Sequence, residues 1–311
     1  MVKCRKPWQQ YGIHNLTANI TIEKLKKGDI KTIAKTLTVV ENNMPEAQIL
    51  LSNLPFAKNV PIIGITGPPG AGKSSLVNAC IKELLVQNKK IAVLAVDPSS
   101  PFNFGSLLGD RVRMQSHFDN ENVFIRSVAS RGHLGGLSTR IYEMVDVLKN
   151  ANFDYIFIET VGVGQSEVEI AGIADITVVT LVPEAGDDVQ AMKSGIMEIA
   201  DLFVVNKADR EGAETFANTL KKLLHQKEKE IPVLLTVASS YVGIDALLKA
   251  IGSLNQKQQQ SDMKIHLLAH RAWNLLSARL MEKYDYQTLF NDLKSEAIKD
   301  NFNLYKFIQQ Q

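Results

Sequence analysis

Cysteine is nearly absent, with Cys4 and Cys80 the only two in 311 residues. They lack metal-ligand spacing, and the six histidines show none either, which argues against a disulfide scaffold or a thiolate metal site and fits a reducing compartment, the cytoplasm. Charge of one sign is scarce as well. A formal net charge of +2, without a long basic block or basic and aromatic interleaving, gives nucleic acid and membrane surfaces little to hold. Long apolar runs are missing: Ile91 to Val96 and Ile176 to Val182 are only strand-length, so no transmembrane helix is expected. The basic start, Met1-Val-Lys-Cys-Arg-Lys-Pro-Trp8, has no apolar core behind it, so no secretory leader is expected.

What is present points to nucleotide chemistry. Gly67-Pro-Pro-Gly-Ala-Gly-Lys-Ser-Ser75 contains a complete phosphate-binding loop, lying between an apolar run (Val60 to Thr66) and a helical pattern (Lys73 to Gln87). Gly67, Pro68, Pro69, Gly70, Ala71, Gly72 and Ser75 would wrap around phosphates, the prolines shaping the turn and the other residues turning main-chain N–H groups inward. Lys73 would reach the β- and γ-phosphates, and Ser74 would supply a magnesium ligand. These features imply a nucleoside triphosphate and Mg²⁺.

From Val60 to Gly252 strand-like runs alternate with helical ones: Ile91 to Asp97, Val123 to Ser127, Tyr155 to Thr160, Ile176 to Leu181, Leu202 to Asn206 and Val233 to Val237. The alternation predicts an α/β P-loop NTPase with a mostly parallel sheet flanked by helices. Residues 1–57 are expected to form a helical extension, with Asp29 capping the stripe Ile30, Ile33, Ala34, Leu37 and Val40. Residues 58–254 would be the nucleotide domain. The polar stretch Asn255 to Asp262 reads as a linker into a helical arm within 255–311, where Ile265 to Tyr284 carries an apolar stripe suited either to the core or to a second subunit.

Asn206-Lys-Ala-Asp209 ends one strand, and Asp209 can accept from both the ring N–H and the exocyclic amine of guanine, a donor pair adenine lacks. Asn206 and the Lys207 stem would support the base, and the turn Thr236 to Ser239 could aim backbone N–H groups at the guanine carbonyl; a strand-to-helix cap or plain turn would use similar residues. Glu159 and Gly162 sit where a carboxylate near the metal and an N–H for the γ-phosphate are needed, though a strand-end acid and turn glycine also fit. Asp97 and Asp110 are further metal candidates, one of which could equally be a loop cap.

Val96-Asp-Pro-Ser-Ser100, Gly105 to Arg111, Glu159-Thr-Val-Gly-Val-Gly-Gln-Ser-Glu167, Gly186-Asp-Asp-Val-Gln190 and Asn206-Lys-Ala-Asp209 together resemble the MeaB/ArgK/MMAA family of P-loop GTPases, over roughly Leu25 to Tyr284. The resemblance implies GTP and GDP as ligands, with Lys73, Ser74, Asp97, Asp110 and Glu159 around phosphate and metal and Asp209 reading guanine. It also implies a lysine, Lys193, that approaches the nucleotide from an extra switch loop (Glu184 to Lys193). As partners it implies an adenosylcobalamin-dependent acyl-CoA mutase, chiefly methylmalonyl-CoA mutase, and a second copy through a C-terminal dimerisation arm. Some relatives carry a transport-kinase label, implying ATP; the guanine motif opposes that reading. Gln165 lies three residues beyond Gly162, too far on to position water in the Ras manner, so intrinsic hydrolysis is expected to be slow. Phe102-Asn-Phe104 and Ser194 depart from the family pattern.

Overall fold

Seven parallel strands in the order β3-β2-β4-β1-β5-β6-β7 form the centre of the computed structural model. The structure describes residues 20–55, 60–97, 117, 120–129, 140–160, 169–186, 196–226, 230–259, 263–281, 284–297 and 302–309. The strands are β1 (Ile62–Thr66), β2 (Ile91–Asp97), β3 (Val123–Ala129), β4 (Tyr155–Glu159), β5 (Ile176–Leu181), β6 (Leu202–Asn206) and β7 (Val233–Thr236). The expected strand runs agree with these to within two residues at each end.

The runs are predominantly apolar because both faces of the sheet are covered. Alternate residues feed two cores: Ile62, Ala92, Leu94, Ile156 and Ile158 face one, and Ile63, Ile65, Ile91, Val93 and Phe157 the other. The first core is closed by α1 (Ile30–Glu41), α2 (Pro45–Asn53) and α4 (Ile141–Lys149), the second by α3 (Lys73–Val86) and α6 (Ile244–Gln259). Helix α5 (Ala213–Gln226) covers the β6–β7 end through Phe216, Ala217, Leu220 and Leu224.

Asp29 caps α1 as expected, its carboxylate accepting from Thr32 N–H at 2.9 Å. The N-terminal helices are thus built into the same core as the sheet. Arg126 on β3 strengthens the join, donating to the Ala34 carbonyl, to Thr38 Oγ1 at 3.2 Å and to the Glu41 carboxylate.

Of the polar stretch Asn255 to Asp262, α6 takes up the part as far as Gln259. Gln and Lys are good helix formers, and nothing there stops the helix. The chain divides into two compact units, residues 1–260 and 261–311. The second contains α7 (Met263–Met281), α8 (Tyr286–Glu296) and α9 (Leu304–Gln309). No helix among the described residues is long and apolar enough to cross a membrane.

Candidate functional site at the carboxyl edge of the sheet

The ends of β1, β4, β6 and β7 bring the candidate residues together along the carboxyl edge, where open parallel sheets bind ligands. Two glycines of the phosphate loop are dictated by their neighbours. Gly67 (φ 136°) lies so close to β5 that a Cβ would sit 2.0 Å from the Thr180 carbonyl oxygen, and one on Gly72 (φ 85°) would sit 2.4 Å from Asn206 Nδ2. Pro68, Pro69, Gly70 and Ala71 form the turn between them, and Gly72 opens α3 as its N-cap. The loop therefore delivers the N-terminus of α3, with its partial positive charge, to the sheet edge.

Lys73 is only 6% exposed, and its ammonium folds back on the loop, donating to the carbonyls of Gly67 at 2.8 Å and Pro68 at 3.1 Å. Ser74, also buried, donates from Oγ to Glu159 Oε1 at 2.6 Å. Beneath them Thr160 Oγ1 donates to Thr66 Oγ1 at 2.9 Å, a buried hydroxyl pair joining the ends of β4 and β1 that no local pattern announced. Hydroxyl and carboxylate oxygens converging beside a phosphate loop are the hard donors that Mg²⁺ takes, so the residues fit that ion. Asp97 is the last residue of neighbouring β2, two positions beyond Ala95, which is in register with Glu159. Asp110, Gly162 and Lys193 lie outside the described residues, as do Gln165 and the Asp97 side chain.

A cavity of about 210 Å³ opens beside the loop, lined by Ser75, Asn206, Lys207, Asp209 and Ser239 among others. Asn206, 2% exposed, is the hub of its wall. Its Nδ2 donates to the Ala71 carbonyl at 2.9 Å, while its Oδ1 accepts from Thr236 Oγ1 at 3.2 Å and from the Ala238 N–H at 3.1 Å. Asn206 thus ties the phosphate loop to the turn after β7, and of that turn's N–H groups that of Ala238 is directed at it. Lys207, in the left-handed region (φ 56°), sends its ammonium to the Gly70 carbonyl at 2.8 Å and leaves its stem along the cavity. Arg210, which the motif reading passed over, lines the same cavity and pairs with Glu184. A larger groove of about 440 Å³ is formed wholly by residues 20–50, none of which belongs to the phosphate loop or the base cavity. The smaller cavity, with its convergent polar groups beside the phosphate loop, is the candidate site.

A phosphate loop continuous with a guanine-reading motif on a parallel sheet defines a P-loop GTPase, which binds guanine nucleotides and hydrolyses GTP. The comparisons agree. The model of the family described as methylmalonyl-CoA mutase-associated GTPase MeaB matches residues 33–287, and the chain belongs to that family. A Pyrococcus horikoshii protein bearing a GTPase name is 48% identical over 238 residues, covering 74% of this chain and 75% of that one. The fused isobutyryl-CoA mutase of Geobacillus kaustophilus is 33% identical over 266 residues, 79% of this chain but 24% of that much longer one. Among solved structures, a LAO/AO transport system kinase superposes with a TM-score of 0.64 at 26% identity, over 95% of this chain and 96% of that one.

Proposed function

We propose that this GTPase is a chaperone for an adenosylcobalamin-dependent acyl-CoA mutase, chiefly methylmalonyl-CoA mutase, gating cofactor loading and protecting or reactivating the enzyme. The observation that carries the reading is the kinship to a single polypeptide named a fused mutase, of which the part resembling this chain is about a quarter. A module that can be fused to an enzyme works at short range from it, and the separate chain would meet its client by binding. The family's description, mutase-associated, points the same way.

In this reading the loop from Gly67 to Ser75, with Gly162, cradles the phosphates. Asp209 reads guanine, Asn206, Lys207 and Ser239 shape the base site, and Ser74, Asp97, Asp110 and Glu159 hold Mg²⁺, which when bound would neutralise phosphate charge. Lys73 leaves the Gly67 and Pro68 carbonyls for the β- and γ-phosphates. Water attacks the γ-phosphorus, the bond to the β-γ bridging oxygen breaks, and GDP, phosphate and a proton leave. Lys193 is the cation offered to the charge developing on the phosphates. The chain works in the cytoplasm as a homodimer.

Calorimetry of the purified protein against an acyl-CoA mutase, with and without Mg·GTP, tests the role. Expected are a saturable complex and faster GTP turnover within it; no complex under any nucleotide condition discards the chaperone reading. The transport-kinase name of a structural neighbour favours a second reading, in which the γ-phosphoryl passes to a protein. Radiolabel from γ-labelled GTP that stays on protein, rather than appearing as free phosphate, would favour it.

A further inference from the structure

The turn after β6 closes through the Arg210 N–H, which donates to the Lys207 carbonyl at 3.0 Å. Two cationic side chains therefore leave opposite ends of one tight turn, with Asp209 between them. Their destinations differ. Lys207 spends its ammonium on the Gly70 carbonyl. Arg210 lines the base cavity, about half exposed, with its guanidinium paired to the carboxylate of Glu184 on the turn Pro183–Gly186 after β5. The Arg210 hydrogen bond, with help from the Lys207 charge, holds the Glu184 carboxyl below its ordinary range.

We propose that Arg210 is a nucleotide-contacting residue, its guanidinium positioned by Glu184 against the purine ring of the guanosine nucleotide. The proposal rests on the reading that Asp209 holds the base. A purine whose edge meets Asp209 has its faces toward the neighbouring walls of the cavity. One wall carries Lys207, and with Asp209 taken up by the edge of the base, Arg210 is the remaining side chain of this turn that lines the space. A guanidinium is planar and weakly hydrated, so it stacks on an aromatic ring where an ammonium would keep its water. Alone, it would be pushed outward by the Lys207 charge. Glu184 opposes that push and draws the guanidinium toward the β5 side of the site. Glu184 is thus a positioning residue, acting through Arg210.

The test uses the full-length protein, with GDP and Mg²⁺ as one probe and inorganic pyrophosphate, which has no base, as the other. Arg210→Ala is expected to weaken GDP about fivefold and to speed its dissociation, leaving pyrophosphate affinity unchanged. Arg210→Lys should recover less than half of the loss. Glu184→Gln should cost about twofold, with Glu184→Asp partly restoring it, and should add nothing once Arg210 is alanine. A purely structural ion pair would instead move the melting temperature of the nucleotide-free protein and leave these affinities alone. GDP affinity unaltered in Arg210→Ala, or an equal loss for pyrophosphate, overturns the proposal. Asp209→Ala is the control: if it too leaves GDP affinity intact, the base site lies elsewhere and both readings fall, whereas loss there alone sinks only Arg210.

Discussion

At the scale of single residues, base recognition in the proposed site reduces to the acceptor pair on Asp209. Two hydrogen bonds from guanine to one carboxylate are worth about 3 kcal/mol together, so Asp209→Asn is expected to weaken GDP roughly a hundredfold. The asparagine amide donates where the carboxylate accepted. Xanthosine diphosphate, with a carbonyl in place of the exocyclic amine, should then bind the variant more tightly than GDP does. Competition of the two nucleotides for the variant checks this, and retention of the guanine preference would remove Asp209 from the base site. Cys80 gives a second prediction at this scale. On α3, fully enclosed between sheet and α6, its thiol is pushed up to about 12 by burial. Thiolate is the reactive form. In a Cys4→Ser background, Ellman's reagent at pH 8 should therefore find no thiol until the protein unfolds, and rapid native labelling would contradict the packing.

At the scale of elements, α3 does double duty, carrying the phosphate loop at its N-terminus and holding the neighbouring chain along its side. His117, 7% exposed, donates from Nε2 to Asn78 Oδ1 on this helix at 2.6 Å, and burial, aided by the Lys82 charge, lowers its pKa below the ordinary 6.5. The folded form therefore holds a neutral imidazole where the unfolded chain takes up a proton. Its contribution to stability is full above about pH 6.5 and is lost as pH falls from there toward the depressed value. Thermal melts between pH 8 and 5 should show a decline that is shallower in His117→Gln; parallel profiles would remove His117 from the pH dependence. The elements themselves were largely legible. Strands such as Ile176–Leu181 and Leu202–Asn206 are short apolar runs bounded by polar residues, and the phosphate loop and Asn206 to Asp209 are contiguous in sequence. What escaped were pairings whose partners are far apart in the chain: Arg126 with Glu41, Thr66 with Thr160, Arg210 with Glu184. Their contact depends on tertiary register, which leaves no periodic trace. Asn206 shows the intermediate case, its place in the motif being readable while its bonds to Ala71, Thr236 and Ala238 are set by how three loops meet.

At the scale of the whole molecule, the two units differ in what they do with apolar side chains. Residues 1–260 bury theirs between sheet and helices, whereas α7 leaves Ile265, Leu268, Trp273, Leu276 and Leu280 exposed, Trp273 at 70% and Leu280 at 60%. Their spacing of three, five, three and four residues keeps most of them on one broad helical face. Such a face costs solubility unless something covers it, and the proposed homodimer supplies a second copy of the same face. Leucines buried at a helix pairing contribute about 2 kcal/mol each, and a glutamate in their place adds the cost of desolvating a charge. Leu276→Glu combined with Leu280→Glu should therefore weaken self-association by about a thousandfold or more. Sedimentation velocity over a hundredfold range of concentration should show the native chain as a dimer and the double variant as a monomer of unchanged helix content. Both substitutions lie outside residues 1–260, which hold the phosphate loop and base cavity, so GDP affinity should persist in the variant. A native chain that sediments as a monomer throughout would mean that this face awaits a different protein, and would leave the mutase complex as the place to look for its cover.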